Sequence, residues 1–292
     1  MKRKRLVLLA LIITLIISSV LGCSTPANPD MPVVLLTDFG NDDYRVPRLK
    51  GVIYDTYPDA QVIDATHGIS SFDIAAGAYV LGLTAKEFPE RFVFIVVVGS
   101  RSTAEEKTLV LTNNEGQIFI APDNGLLTYI IKDMGIKTVY EITNQELFNE
   151  PISTLSYHYL LGKVGALIAS GYNPEDVGPA VASPLLLDIQ EGGIADGKLV
   201  GSIVFIDHFG NCLTNITSET LSTYGLNIGD TVQIIISGNT IIAKYGENYS
   251  DVLKGEPIVL INSLGTVQLS INKGSFAAIY SIKTGTHFEL EQ

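Results

Sequence analysis

Five consecutive residues, Asp207-His208-Phe209-Gly210-Asn211, bring together a carboxylate, an aromatic ring, a glycine and an amide directly after the apolar run 200–206. A carboxylate accepts several hydrogen bonds, and an amide both donates and accepts. Glycine lets the backbone approach a ligand closely, and an aromatic ring offers a flat apolar face. This is equipment for gripping a polar, planar molecule such as a nucleoside. Asp, Gly and Asn are equally the usual residues of a turn after a strand, and the segment alone admits both readings.

A second polar group, Thr37-Asp38-Phe39-Gly40-Asn41-Asp42-Asp43, follows the apolar run 33–37. Open parallel sheets bind ligands at the carboxyl ends of their strands. Three carboxylates there suit a ribose diol, an amine or a divalent cation. Asp42 and Asp43 read equally well as acids in the first turn of a helix, whereas Asp38, at the strand tip, reads as functional. The same run is faintly similar to the calcium loop of nucleoside hydrolases, although the other metal ligands cannot be placed. Asp64-Ala65-Thr66-His67-Gly68-Ile69 and Ala121-Pro122-Asp123-Asn124-Gly125 follow two further strand-like runs. A lone histidine such as His67 is more often structural than catalytic, and Asp123 or Asn124 reads as a helix cap. Ile261-Asn262-Ser263-Leu264-Gly265 and Asn272-Lys273-Gly274-Ser275 read as hairpin turns, the first able to present backbone groups to a flat base.

The elements that must position these segments change character along the chain. Strand-like runs at 33–37, 61–63, 92–98, 108–112 and 118–121 alternate with helical patterns at 45–57, 74–88, 125–134 and 159–170. In the first helical pattern Val46, Leu49, Val52 and Ile53 share one face. Asn113-Asn114-Glu115-Gly116 is a turn signal inside a strand pair. The alternation predicts an N-terminal α/β domain with a largely parallel sheet over 32–192. Over 193–292, β-rich runs at 200–206, 231–236, 240–245, 257–261, 266–271 and 277–281 are separated by Gly, Asn and Asp, with a helix signal only at 218–224. This reads as a small all-β C-terminal domain.

Residues 1–22 read as an export signal, with Lys2, Arg3, Lys4 and Arg5 ahead of an apolar stretch that is short for a membrane span. They close on Val20-Leu21-Gly22-Cys23, which resembles the bacterial lipobox and implies cleavage before Cys23 and a lipid on its thiol. Residues 23–31 then form a polar, Pro-containing tether. Cleavage removes four of the 19 basic residues and none of the 31 acids, leaving 15 against 31 and a net charge of −16. Nucleic-acid binding, which needs a basic footprint, is thereby disfavoured. Electrostatic adhesion to anionic lipid is disfavoured too, so the lipid on Cys23 must hold the protein at the outer side of the cytoplasmic membrane. With Cys23 modified, Cys212 is the one remaining thiol and no internal disulfide is available.

Taken in order, the segments resemble the S-adenosylmethionine hydroxide adenosyltransferase family, which includes the S-adenosylmethionine-dependent chlorinases and fluorinases. The matching signposts are Thr37-Asp38-Phe39-Gly40 with Asp43, Lys50-Gly51-Val52-Ile53, Asp64-Ala65-Thr66-His67 and Pro122-Asp123-Asn124-Gly125. In the C-terminal part they are Asp207-His208-Phe209-Gly210-Asn211 with Thr214-Asn215-Ile216, then Asn262-Ser263 with Asn272 and Gly274-Ser275. The resemblance implies an α/β domain followed by a barrel-like β domain. It implies a homotrimer whose ligand, S-adenosylmethionine or a related adenosine nucleoside, lies between the N-terminal domain of one subunit and the C-terminal domain of its neighbour. Asp38 would hold the ribose hydroxyls and Asp43 would lie near the methionine amine. Asp207, Phe209, Asn211, Asn262 and Ser263 would contribute from the β domain. No cofactor and no metal is implied.

The chain departs from the family where water is activated. Hydrolase members carry an Asp and an Arg in a loop of the form Asp-Pro-Gly-Val-Gly-x-x-Arg, and a His in a Phe-His-Gly-Arg-Asp pattern. Here Gly99 stands at the Asp, Glu106 at the Arg and Ser156 at the His. Halogenases have a Tyr at the position of Gly99. Arg101, Ser156, Tyr157 and His158 are the residues available to rebuild a different pocket. The reading is therefore an adenosyl-binding family member, with hydrolysis to adenosine and methionine open. A surface-anchored nucleoside-binding lipoprotein without turnover is the alternative, and a calcium-dependent nucleoside hydrolase the more distant one.

Overall fold

The computed structural model describes residues 30–99, 106–148 and 157–292. The leader, Cys23, Arg101 and Ser156 lie outside the described residues, as does the side chain of His158. Among the described residues no helix is long and apolar enough to cross a membrane.

The first sheet contains β1 (Val33–Thr37), β2 (Val62–Thr66), β3 (Val93–Val97), β4 (Thr108–Thr112), β5 (Ile118–Pro122) and β6 (Thr138–Glu141), in the order β2-β1-β3-β5-β4-β6. β1 runs parallel to β2 and β3, and β3 parallel to β5. β4 is antiparallel to both β5 and β6. Continuous apolar runs such as Val93-Phe94-Ile95-Val96-Val97 suit central strands buried on both faces, and all five of these residues are buried. Alternate side chains go to opposite faces. Val33, Leu35, Val93 and Ile95 pack with α1 (Arg45–Thr56) and α3 (Tyr157–Ala169), whereas Val34, Leu36, Phe94 and Val96 pack with α2 (Ile74–Glu87).

The second sheet contains β7 (Gly193–Ala195), β8 (Lys198–Ile206), β9 (Cys212–Thr217), β10 (Thr231–Ile236), β11 (Asn239–Tyr245), β12 (Pro257–Ile261), β13 (Thr266–Ile271) and β14 (His287–Glu291). Pairing of β14 with both β10 and β8 closes it into a barrel, with β7 added outside β8. Closure removes the exposed edges of the other strands. α4 (Ser218–Tyr224) follows β9, and α5 (Phe276–Tyr280) follows β13.

Several expectations change. The run 277–281 is not a strand: the Ser275 side chain accepts from the Ala278 N–H as an N-cap, and fully buried Phe276 anchors the short helix α5 in the barrel core. Asn272–Ser275 therefore leads into a helix, whereas Asn262–Gly265 is the hairpin turn expected between β12 and β13. The helix over 125–134 is realised as turns followed by a π-helical segment, Ile130–Met134. β2 extends to Thr66, so Asp64 lies within the strand and the part that follows it begins at His67. Strands β6, β7, β9 and β14 lacked a readable apolar signal.

Candidate functional site

The carboxyl ends of β1 and β3 meet at Asp38. Its N–H donates to the Val97 carbonyl at 3.0 Å, prolonging the β1–β3 ladder by one residue. Its Oδ2 accepts the Phe72 N–H at 2.9 Å and the Gly99 N–H at 3.1 Å. Oδ1 has no partner among the described residues, so half of this half-buried carboxylate remains for an external donor. Gly99 adopts φ +72°, and a Cβ there would lie 2.9 Å from Ile74 Cγ1. Asn124, from the turn after β5, donates to the Val98 carbonyl at 3.1 Å and accepts the Leu126 N–H at 3.2 Å. Asn124 does not cap the helical segment, whose N-cap is Tyr129 and carries no side-chain bond; it closes a turn and ties that turn to the residue after β3.

Phe72 was not singled out from the sequence. It has φ +66°, a costly conformation for an aromatic residue, and its ring is 70% exposed. It is held between Asp38, which takes its N–H, and Asp73, whose side chain caps α2 by accepting the Ala76 N–H. Strain at a residue bonded to a candidate ligand-binding carboxylate points to function, but a backbone angle leaves no mark in a sequence.

Beneath Asp38 runs a chain of polar contacts. Buried Thr37 places Oγ1 2.9 Å from His67 Nδ1 and accepts the Phe39 N–H at 3.2 Å. His67 Nε2 is 3.1 Å from Asp64 Oδ1, and Asp64 Oδ2 receives Lys50 Nζ at 2.6 Å. Burial pushes the Asp64 carboxyl up, but its bonds to Lys50 and His67 outweigh this and hold it below the usual carboxylate range. The His67 carbonyl accepts the Gly40 N–H at 2.7 Å.

Other candidates are placed differently. Asp43 accepts the Arg45 N–H at 2.8 Å and pairs with Arg45 Nη1 at 2.7 Å. Tyr44, not an acid, holds the N-cap position of α1 and makes no side-chain cap. Asp123 is nearly buried and accepts the Leu185 N–H at 2.7 Å, which anchors a distant loop. Tyr157 lies in the core with its hydroxyl accepting from Thr108 at 3.2 Å, so it is not a wall of a rebuilt pocket. Among the described residues no group of three His, Cys, Asp or Glu side chains could hold a metal ion. Within the acidic run, Asp38 Oδ2 is already taken by backbone N–H groups and Asp43 by Arg45.

In the β domain, Asp207 organises its own turn. Its Oδ1 accepts the Phe209 and Asn211 N–H groups, both at 2.9 Å, and its Oδ2 accepts Asn211 Nδ2 at 2.8 Å. Gly210 sits at φ +80° against α5, where a Cβ would collide with Ser275 Oγ, and its carbonyl accepts the Ala277 N–H at 3.0 Å. Phe209 stands at the tip, 75% exposed. Turn and display are thus one structure. Below it, burial first and the Asp207 charge second push the Cys212 thiol up to about 12. Asn262 accepts the Leu264 N–H at 2.9 Å and the Thr266 N–H at 3.2 Å, which builds its hairpin and leaves Ser263 exposed.

The two halves touch through α2 and β8, where the Tyr79 ring lies 6.2 Å from that of Phe205 and 5.7 Å from that of Tyr129. Among the described residues no hydrogen bond or ion pair links the Asp38 group to the Asp207 group. The structure gathers Asp38, Phe72, Gly99 and Asn124 at one place and Asp207, Phe209 and Asn211 at another.

The comparisons with known proteins agree on both halves. Residues 33–178 match the SAM hydroxide adenosyltransferase N-terminal domain, and residues 201–289 match its C-terminal domain. The (R)-S-adenosyl-L-methionine hydrolase of Methanocaldococcus jannaschii is 32% identical over 249 residues, spanning 82% of this chain and 87% of its own. The fluorinase of an Actinoplanes species is 26% identical over 289 residues, spanning 89% and 97%. A crystal structure of an uncharacterized conserved protein from Thermotoga maritima superposes with a TM-score of 0.82 at 29% identity, covering 89% of this chain and 100% of that one. With both domains matched in order and the fold shared, the chain belongs to the SAM hydroxide adenosyltransferase family.

Proposed function

We propose that this chain binds S-adenosylmethionine, or a related adenosine nucleoside, between an N-terminal domain over 32–192 and a C-terminal domain over 193–292. The half-used carboxylate of Asp38 carries the reading. Two backbone N–H groups fix Oδ2, which leaves Oδ1 as a rigid acceptor suited to a ribose hydroxyl. Phe72 and Phe209 offer flat apolar faces for the nucleoside. Asp43 serves the amine end while sharing its charge with Arg45, and Asn211, Asn262 and Ser263 complete the grip. Among the described residues the two groups share no bond, and the family resemblance implies that the ligand lies between neighbouring subunits of a homotrimer.

Sulfonium is a good leaving group, so hydrolysis needs chiefly a water held in line behind the ribose 5′-carbon. The water oxygen would bond to that carbon, the carbon–sulfur bond would break toward methionine, and a proton would be released. Gly99 has no side chain to orient such a water, and Glu106 brings negative charge where hydrolases carry Arg. Binding without turnover is therefore the first reading. Hydrolysis to adenosine and methionine is the second, favoured by relatives named as hydrolases.

Calorimetric titration of protein lacking residues 1–22 with adenosine and with S-adenosylmethionine tests the first reading. It fails if neither binds, or if Asp38→Ala leaves binding untouched. Adenosine accumulating above a protein-free blank between pH 6 and 9 would establish the second. We further propose that a lipid on Cys23 holds the protein outside the cytoplasmic membrane. Cys23→Ala should move it from the membrane to the soluble fraction, and unchanged fractionation would refute the anchor.

A further inference from the structure

We propose that His67 is a positioning residue for this site: carried by Lys50 and Asp64, it sets the Thr37 hydroxyl and with it the turn that presents Asp38. This rests on the reading that Asp38 receives the ribose hydroxyls.

His67 is 5% exposed, and among the described residues no acceptor other than Asp64 Oδ1 reaches its Nε2. That contact is close but off-axis, so it acts as an electrostatic partner more than as a directional bond. An ionised carboxylate only accepts, so its proximity favours the tautomer with the proton on Nε2. In the neutral ring Nδ1 is then an acceptor, and the Thr37 hydroxyl donates to it. The same hydroxyl oxygen accepts the Phe39 N–H. The hydroxyl is therefore used in both directions, and its orientation is fixed by the tautomer that Asp64 selects. The His67 carbonyl adds the Gly40 N–H, so the two residues after Asp38 are both tied to the Thr37–His67 pair.

The strands are shaped for this arrangement. The β1–β2 register slips between Leu35 and Leu36, pairing Leu35 with Asp64 and Leu36 with Thr66. Such bulges re-aim side chains, and here the slip lies directly before Thr37 and His67. Lys50 reaches Asp64 from α1 at 2.6 Å, although both side chains keep substantial exposure, 30% and 41%. A solvated pair of this kind contributes little to stability. Its value here lies in holding the Asp64 carboxylate against the histidine.

A core histidine without a role in recognition would have the same contacts but different consequences when replaced. Calorimetric titration with adenosine and with 2′,3′-dideoxyadenosine separates the two cases. His67→Gln sets its amide near the position of Nε2 rather than Nδ1, which moves the acceptor away from the Thr37 hydroxyl. It should weaken adenosine binding by roughly 10-fold, the order expected when one hydrogen bond of ordinary strength is lost, and change dideoxyadenosine binding by less than about twofold. His67→Asn keeps an acceptor near Nδ1 and should recover most of the affinity. The Asp38→Ala/His67→Gln double variant should bind no more weakly than Asp38→Ala alone, because coupled residues are not additive. Thr37→Val carries the same prediction as His67→Gln should the latter fail to fold. Equal losses for both nucleosides, unchanged adenosine binding in both His67→Gln and Thr37→Val, or losses that multiply in the double variant would overturn the inference alone. Wild-type protein that ignores adenosine, or an Asp38→Ala variant that binds it normally, would overturn the ribose reading as well.

Discussion

The carboxylates of Asp38 and Asp207 both follow apolar strands, and their hydrogen bonds distinguish them. Asp207 spends its oxygens on the Phe209 and Asn211 N–H groups and on the Asn211 side-chain amide, so its work is to hold a turn. Among the described residues Asp38 spends only Oδ2, and on distant backbone. Residue type and position gave both aspartates as candidates, but how many oxygens are already committed depends on loops 34 and 61 residues away. Phe72 escaped notice for the same reason. Gly99 shows what such neighbours permit. Its φ of +72° and the 2.9 Å approach of Ile74 to a built Cβ mean that an aspartate there needs both strain and repacking. Gly99→Asp should lower stability by about 1–2 kcal/mol in urea unfolding. Without the guanidinium partner it should yield no adenosine from S-adenosylmethionine. Adenosine formation with unchanged stability would show that Gly99 alone separates this chain from the hydrolases.

At the level of elements, strong apolar runs were readable and weak ones were not. β1, β3 and β5 are buried on both faces and announce themselves. The edge strand β2 has an exposed middle, and short strands such as β7 depend on partners rather than on their own pattern. For α5, a five-residue apolar run cannot distinguish helix from strand by its period; the Ser275 cap and the barrel interior decide it. α2 shows how a remote residue completes an element. Its last carbonyls have no helical partners, and fully buried Gln117 supplies Nε2 to Ala85 O and Phe88 O at 2.8 Å and to Pro89 O at 3.3 Å. Gln117→Leu should cost about 2–4 kcal/mol in chemical denaturation, since each buried group left unpaired costs roughly 1–3 kcal/mol. Hydrogen exchange should quicken first in the final turn of α2, and uniform exchange along the helix would contradict the capping role.

The whole molecule carries its own titration signature. Burial chiefly, then Tyr129, raises the Tyr79 phenol at the domain contact to about 12, and the Cys212 thiol is likewise pushed up to about 12. For groups whose folded pKa lies above the unfolded value, the unfolded chain loses protons first, and stability falls as pH rises. The contribution is complete below about pH 9, where an unfolded thiol begins to ionise, and disappears as pH approaches 12. Melting temperature should therefore decline above about pH 9, and Cys212→Ala should move the onset toward 10, where the tyrosines take over. A flat melting temperature to pH 11 would contradict this. Assembly provides the last test. If each site takes Asp38 from one subunit and Phe209 from its neighbour, Asp38→Ala and Phe209→Ala proteins should each bind adenosine weakly alone. After mixed reassembly, about one quarter of the sites should combine an intact Asp38 with an intact Phe209, as random association around a ring requires. Calorimetric stoichiometry reads that fraction directly. No recovery, in mixtures shown by mass to contain both subunits, would place the whole site within one chain and remove the reason for an intersubunit ligand.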